Sequence, residues 1–191
     1  MTAPEPVRVR LVSEADADGS VAAIYARVRA SVKTVPGMYQ VLANAPTLLD
    51  GWLELGWSLR QDASSERGLR ELAIARVAQI THSDYVWRSH YQMARSSGIS
   101  AEKLAALEQW SGSDLFDTAE RAVLGVTDQL TRDADVTDDV WNTFAGIFDD
   151  RQKVELTLTI SWYACASRMA NGLRVPPEEW HDRVPPLPES G

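Results

Sequence analysis

Apolar residues recur every three or four positions along most of the chain, most clearly in two adjoining stretches near its middle. Leu69, Leu72, Ala73, Val77 and Ile80 keep helical spacing up to a polar break at residues 81–83, and Val86, His90, Met93 and Ala94 restart the same period. Thr81 or Ser83 suits an N-cap, Asp84 is an acid in the first turn, and Gly98 suits the residue just past a helix end. Glu71 and His90 are thus separated by most of two helices. They meet only if those helices fold back on each other.

The flanking pattern is also helical. Val21, Ile24, Tyr25 and Val28 form one stripe, and a short helix runs near Met38 to Leu42. Asn44 before Pro46 opens a helix with Leu48, Leu49, Trp52, Leu55 and Leu59 on an apolar face. Ser100 caps a helix through Leu104 and Leu107, and Asp117 with Glu120 forms a capping box ahead of Val123, Leu124, Val126 and Leu130. Thr137 with Asp138 and Asp139 opens another through Val140, Trp141, Phe144 and Ile147.

Residues 156–162 alternate and are rich in β-branched side chains, which by itself reads as a strand. Val154, Leu158, Trp162, Cys165 and Met169 nevertheless form a helical row, and Asn171-Gly172 ahead of Pro176-Pro177 is a helix stop. The expectation is a helix buried on most of its surface. The chain reads as all-α, made of antiparallel helical hairpins: an N-terminal extension (1–18), a helical domain (19–175) and a Pro-rich tail (176–191) draped over a surface through Trp180. Arg67-x-x-x-Glu71-Leu72 and Arg151-x-x-x-Glu155-Leu156 share a spacing that hints at internal duplication.

With 191 residues and 45% hydrophobic content, the chain can bury one substantial core. Nineteen basic against 27 acidic residues give a net charge of -8 without a Lys/Arg cluster, which argues against nucleic acid as a partner. Residues 1–6 lack a signal-peptide pattern and no segment has the apolar length of a membrane span, so no membrane partner and a soluble, cytoplasmic protein are expected. The single cysteine, Cys165, excludes an intramolecular disulfide, and its apolar neighbours suggest a buried packing residue.

His90 and Glu71 are the candidate catalytic pair. An imidazole exchanges protons near neutral pH, and a carboxylate partner fixes its tautomer and raises its basicity. The alternatives are a core histidine with satisfied nitrogens and, for Glu71, an ion pair with Arg67 or Arg70. Tyr85 can offer a phenol to an oxyanion, and Ser83 can offer a hydroxyl and helix N-terminal amides to a substrate carboxylate, though such residues more often just pack or cap. His82, in the turn, is a second candidate for substrate contact or simply a polar turn residue. His181 reads as a surface residue. Glu71, His82 and His90 lack the close His-x-x-x-His or Cys pair of a metal site, and the tryptophans, spaced as core or interface residues, carry no cofactor motif, so neither metal nor cofactor is expected.

Arg70-Glu71-Leu72, then Tyr85-x-Trp87-x-x-His90, then Ala94-x-x-x-Gly98 resembles the carboxymuconolactone decarboxylase family, which includes the alkylhydroperoxidase D-like (AhpD-like) proteins. Val35-Pro36-Gly37-Met38-Tyr39, Asn44-Ala45-Pro46, residues 148–151, Val154-Glu155-Leu156 and Tyr163 extend the resemblance across roughly Pro36 to Val175. In redox-active members a Glu is followed 12 and 15 residues later by the cysteines of a Cys-x-x-Cys and 19 later by a His; counted from Glu71 these positions are Ser83, Val86 and His90. The resemblance implies the helical fold, a homo-oligomer such as a trimer or hexamer, and His/Glu acid-base chemistry on a small lactone or carboxylate. It leaves two alternatives: an AhpD-like antioxidant, disfavoured by the missing cysteines, and a non-catalytic binding or scaffold subunit.

Overall fold

A computed structural model describes residues 6–188; residues 1–5 of the expected extension and 189–191 of the expected tail lie outside them. The helices are α1 (Gly19–Arg29), α2 (Gly37–Leu42), α3 (Pro46–Gln61), α4 (Arg67–Ile80), α5 (Asp84–Ser96), α6 (Ala101–Ala106), α7 (Thr118–Asp133), α8 (Asp138–Ala145) and α9 (Asp150–Leu173). Short 3-10 turns span Leu107–Gly112 and Glu179–Arg183, and no strand occurs among the described residues. None of their helices is long and apolar enough to cross a membrane.

The fold is arranged about α4, which packs on α5, α7 and α9. Every residue from Leu69 to Gln79 is buried, so this helix has no solvent face and its polar side chains need internal partners. Arg76 has them: its Nε and Nη2 donate to the two Asp128 oxygens at 2.6 and 2.8 Å, and its Nη1 donates to the Leu107 carbonyl at 3.0 Å. At the start of α4, Gly68 permits close approach to the end of α5, since a Cβ there would stand 2.9 Å from the Ser97 carbonyl oxygen.

Local end signals account for most helix limits. Ser100 accepts from the Lys103 amide, and Asp117 with Glu120 makes a full capping box. Gly98 takes the left-handed position after α5. The turn between α4 and α5 departs from expectation, because neither Thr81 nor Ser83 caps α5 with its side chain. Instead α4 ends with the His82 amide donating to the Gln79 carbonyl (3.1 Å) and the Ser83 amide to the Ala78 carbonyl (2.8 Å), a closure that puts His82 at φ 51 where glycine is usual. After α9 the same left-handed position falls on Arg174 rather than Gly172.

Residues 156–162 are helical, as expected, opening from an Asp149/Gln152 capping box. The expectation for α9's faces needs correction. Val154 is 66% and Leu158 38% exposed and Cys165 is exposed, whereas Leu156, Ile160, Tyr163 and Ser167 are buried. Apolar or small residues surround this helix on nearly every side, so periodicity cannot select which row α4 covers. The repeated Arg/Glu spacing corresponds to two i,i+4 ion pairs, Arg67–Glu71 and Arg151–Glu155, whose carboxylates serve different ends. Glu155 also accepts from the Ser64 and Ser65 amides, at 3.0 and 2.8 Å, and ties the α3–α4 connection to α9.

A second apolar cluster joins α1, α2 and α3 with the segment before α1, where the Arg8 amide bonds to the Leu173 carbonyl and Tyr25 to the Val12 carbonyl. Trp52 and Tyr85 pack against both clusters. The space left between the clusters is the candidate site.

Candidate active site

His90 reaches inward from α5 and Glu71 outward from α4. Their contact, Nδ1 to Oε2 at 2.8 Å, is nearly sealed from solvent, with 6% and 2% of the two residues exposed. The second Glu71 oxygen accepts from Arg67 at 3.4 Å. Burial pushes the Glu71 carboxyl up, but His90 and Arg67 outweigh it and hold it below the ordinary carboxylate range. A carboxylate only accepts, so Nδ1 carries the proton and Nε2 is the nitrogen left for a ligand. The Tyr163 ring meets the imidazole edge to face, with centroids 4.6 Å apart, and fixes its plane.

His90 borders a cavity of about 380 Å³, within the usual range for small-molecule sites. Its wall is largely aromatic: Tyr39 from α2, Trp52 and Trp57 from α3, Tyr85 from α5, Trp162 and Tyr163 from α9, and Trp180 from the tail. Trp87 and Tyr91 do not fill the space. Trp87 points to the tail, donating from its indole nitrogen to the Pro185 carbonyl at 3.1 Å, and Tyr91 lies beside it.

Tyr85 lines the cavity, but its hydroxyl is engaged, donating to Glu178 Oε1 at 2.6 Å and accepting from the Met38 amide at 3.3 Å. Burial first, and then Glu178, push this phenol well above its ordinary range, so it keeps its proton. Ser83 and His82 are not brought to the cavity. Ser83 is fully buried, its hydroxyl has no hydrogen-bond partner, and its amide is used to close α4. His82 is exposed and borders a different depression, with Arg76, Gln79 and Arg132. Among the described residues no group of three His, Cys, Asp or Glu side chains is placed to hold a metal.

The tail departs most from the sequence reading. His181, expected at the surface, is fully buried. Its Nδ1 accepts from the Glu178 amide at 3.2 Å, so Nε2 bears the proton and donates to Ser89 Oγ at 3.1 Å. Arg88 donates to the carbonyls of His181 and Val184, and Asp84 accepts from the Leu187 amide. These bonds clamp residues 176–188 along α5 and make Glu178 and Trp180 part of the cavity wall. Arg60, Trp52, Trp57, Trp162 and Glu178 are therefore site residues that the sequence reading missed. The tryptophans read there as core or interface positions, and no local motif marks Arg60 or Glu178.

Residues 46–129, which hold Glu71, Ser83, Val86 and His90, match the model of the carboxymuconolactone decarboxylase family. The fold is AhpD-like, and over that stretch the chain is similar to this family. It is 26% identical over 117 residues to the uncharacterized protein YdfG of Bacillus subtilis (strain 168), covering 58% of this chain and 80% of YdfG. An uncharacterized peroxidase-related protein from Silicibacter sp. TM1040 superposes with TM-score 0.79 at 18% identity, covering 95% of this chain and 97% of that one. The debrominase Bmp8, solved as a Cys-to-Ala variant with 2,3,4-tribromopyrrole, superposes with TM-score 0.73 at 16% identity over 93% of this chain and 97% of its own. At such identities the structural likenesses establish the fold. This AhpD-like chain keeps the buried Glu/His pair and has Ser83 and Val86 where the resemblance to redox-active members calls for cysteines.

Proposed function

We propose that this AhpD-like chain is an acid-base enzyme of carboxymuconolactone decarboxylase type acting on a small lactone or carboxylate. The observation that carries the reading is the His90–Glu71 contact on the wall of an open, aromatic cavity. In a decarboxylation the C–C bond to the carboxylate breaks, carbon dioxide leaves, and its electron pair passes into a conjugated dienolate. His90, as imidazolium, then gives the Nε2 proton to carbon and is reprotonated from water; Glu71 stabilises the imidazolium and keeps Nδ1 protonated. Bmp8 was crystallised with a small planar ring, which is the shape of ligand this cavity favours.

A disulfide-cycle peroxidase is disfavoured, because Cys165 stands alone on the exposed face of α9 and has no resolving partner in the chain. That face, with Val154 and Leu158, supports assembly into a homo-oligomer. A thermal-shift screen of small lactones and carboxylates, followed by turnover assays of each hit, tests the enzymatic reading. His90→Ala should lower turnover on the order of 100-fold or more. Turnover unchanged in that variant would overturn the proposal.

A further inference from the structure

Arg60 differs from the other arginines near the site. Arg67 pairs with Glu71, Arg88 with Asp84 and Arg27 with Asp50, whereas no acidic side chain pairs with Arg60 among the described residues. Its Nε donates to the Gly56 carbonyl one turn back along α3 at 2.8 Å, which fixes the guanidinium plane. Around it stand the phenols of Tyr39 and Tyr163. It is half-buried and borders the cavity that His90 also borders. Burial acts against its charge while the hydrogen-bonded Tyr39 phenol, Tyr163 and, through space, Glu71 favour it, and with no carboxylate paired to it the guanidinium keeps donors for an anionic ligand.

The shape of the remaining wall narrows the ligand further. Trp52 and Trp162 lie with centroids 4.0 Å apart and both border the cavity, joined there by Trp57 and Trp180. Indole surfaces favour a flat π-system over a puckered saturated ring of similar size. Glu178, held by the Gly37 amide and the Tyr85 hydroxyl, is also on the wall and disfavours a second anionic group beside it. From these features we infer that the cavity binds a planar, conjugated or aromatic monocarboxylate, with Arg60 as the residue that selects the carboxylate. The inference rests on the reading of the cavity as a substrate site, and makes Arg60 a specificity residue.

Equilibrium binding of benzoate, benzamide and cyclohexanecarboxylate, followed by quenching of the cavity tryptophans and checked by calorimetry, tests it. The wild-type protein should bind benzoate on the order of 10-fold or more tightly than benzamide. Its preference for benzoate over cyclohexanecarboxylate should be about 3- to 10-fold. Arg60→Gln should abolish the benzoate-over-benzamide preference while leaving benzamide binding within a few-fold, and Arg60→Lys should retain part of it. Loss of turnover at His90 and loss of binding selectivity at Arg60 are thereby read separately, and either can fail alone. Equal wild-type affinity for benzoate and benzamide, absence of saturable benzoate binding, or selectivity surviving in a folded Arg60→Gln protein would overturn the inference. Should Arg60→Gln not fold, the wild-type ligand comparison decides by itself.

Discussion

The Tyr85 hydroxyl donates to Glu178 at 2.6 Å across 93 residues of chain, and this bond joins α5 to the segment that walls the cavity beside it. Tyr85→Phe removes the donor and leaves the Met38 amide without its acceptor, while Glu178 keeps the Gly37 amide. The expected cost is about 1–2 kcal/mol. Hydrogen exchange should show faster opening of residues 176–188 and unchanged protection in α4.

Glu71 controls His90 through Nδ1, so its effect should appear as pH dependence. Glu71→Gln still accepts from Nδ1–H but carries no charge to titrate. The folded Glu71 carboxyl lies below its ordinary value, so its stabilising contribution is present above about pH 4.5 and is lost as pH falls further. Denaturant titrations of both proteins between neutral and acid pH check the sign: the difference between them should shrink on acidification.

His181 should give the fold a second acid sensitivity. Burial, followed by the nearby Arg88 cation, pushes its pKa down to about 4, and the Glu178 amide already points at Nδ1, where a second proton would have to go. With the folded value below the unfolded one near 6.5, stability is complete above that pH and declines as pH drops toward 4. The melting temperature of His181→Asn, which loses the titration, should vary less across this window than that of the parent.

At the other end of the domain, Glu155 is drawn down to about 2: its partial burial acts the other way but is outweighed by the Ser64 and Ser65 amides and by Arg151. Glu155→Gln keeps the shape and removes the charge, at an expected cost of about 1.5–3 kcal/mol. Its signature is the pH range, since the contribution of Glu155 is present above about 4.5 and fades toward 2. Urea unfolding at neutral pH and at pH 3 should show a smaller gap between variant and parent in acid.

The sequence made the helices legible wherever the signal was local. Ser100, Asp117 with Glu120 and Gly98 act within one turn of their own position, and there the reading and the structure agree. It failed at the α4–α5 turn because a side chain in the left-handed region at His82 leaves no compositional trace. The covered face of α9 was illegible for a different reason. A helix apolar on nearly all sides lets its neighbours choose, and they covered Leu156 and Ile160 while leaving Leu158 and Cys165 exposed. Glu71 and His90 were findable because they lie on consecutive helices. Arg60, Trp162 and Glu178 come from separate parts of the chain, and no spacing rule links them.

The clamp along α5 also separates two parts of the site by the cost of assembling them. The His90–Glu71 contact closes a loop of 19 residues, whereas Ser89–His181 and Asp84–Leu187 close loops of 92 and 103. For flexible segments this difference in loop closure is about 1.5 kcal/mol, and it falls on the tail. A hairpin of consecutive helices forms early and opens late, while long-range contacts to a short segment without α-helix open first. Partial opening of residues 176–188 would therefore take Trp180 and Glu178 from the cavity wall while the His90–Glu71 contact stays assembled.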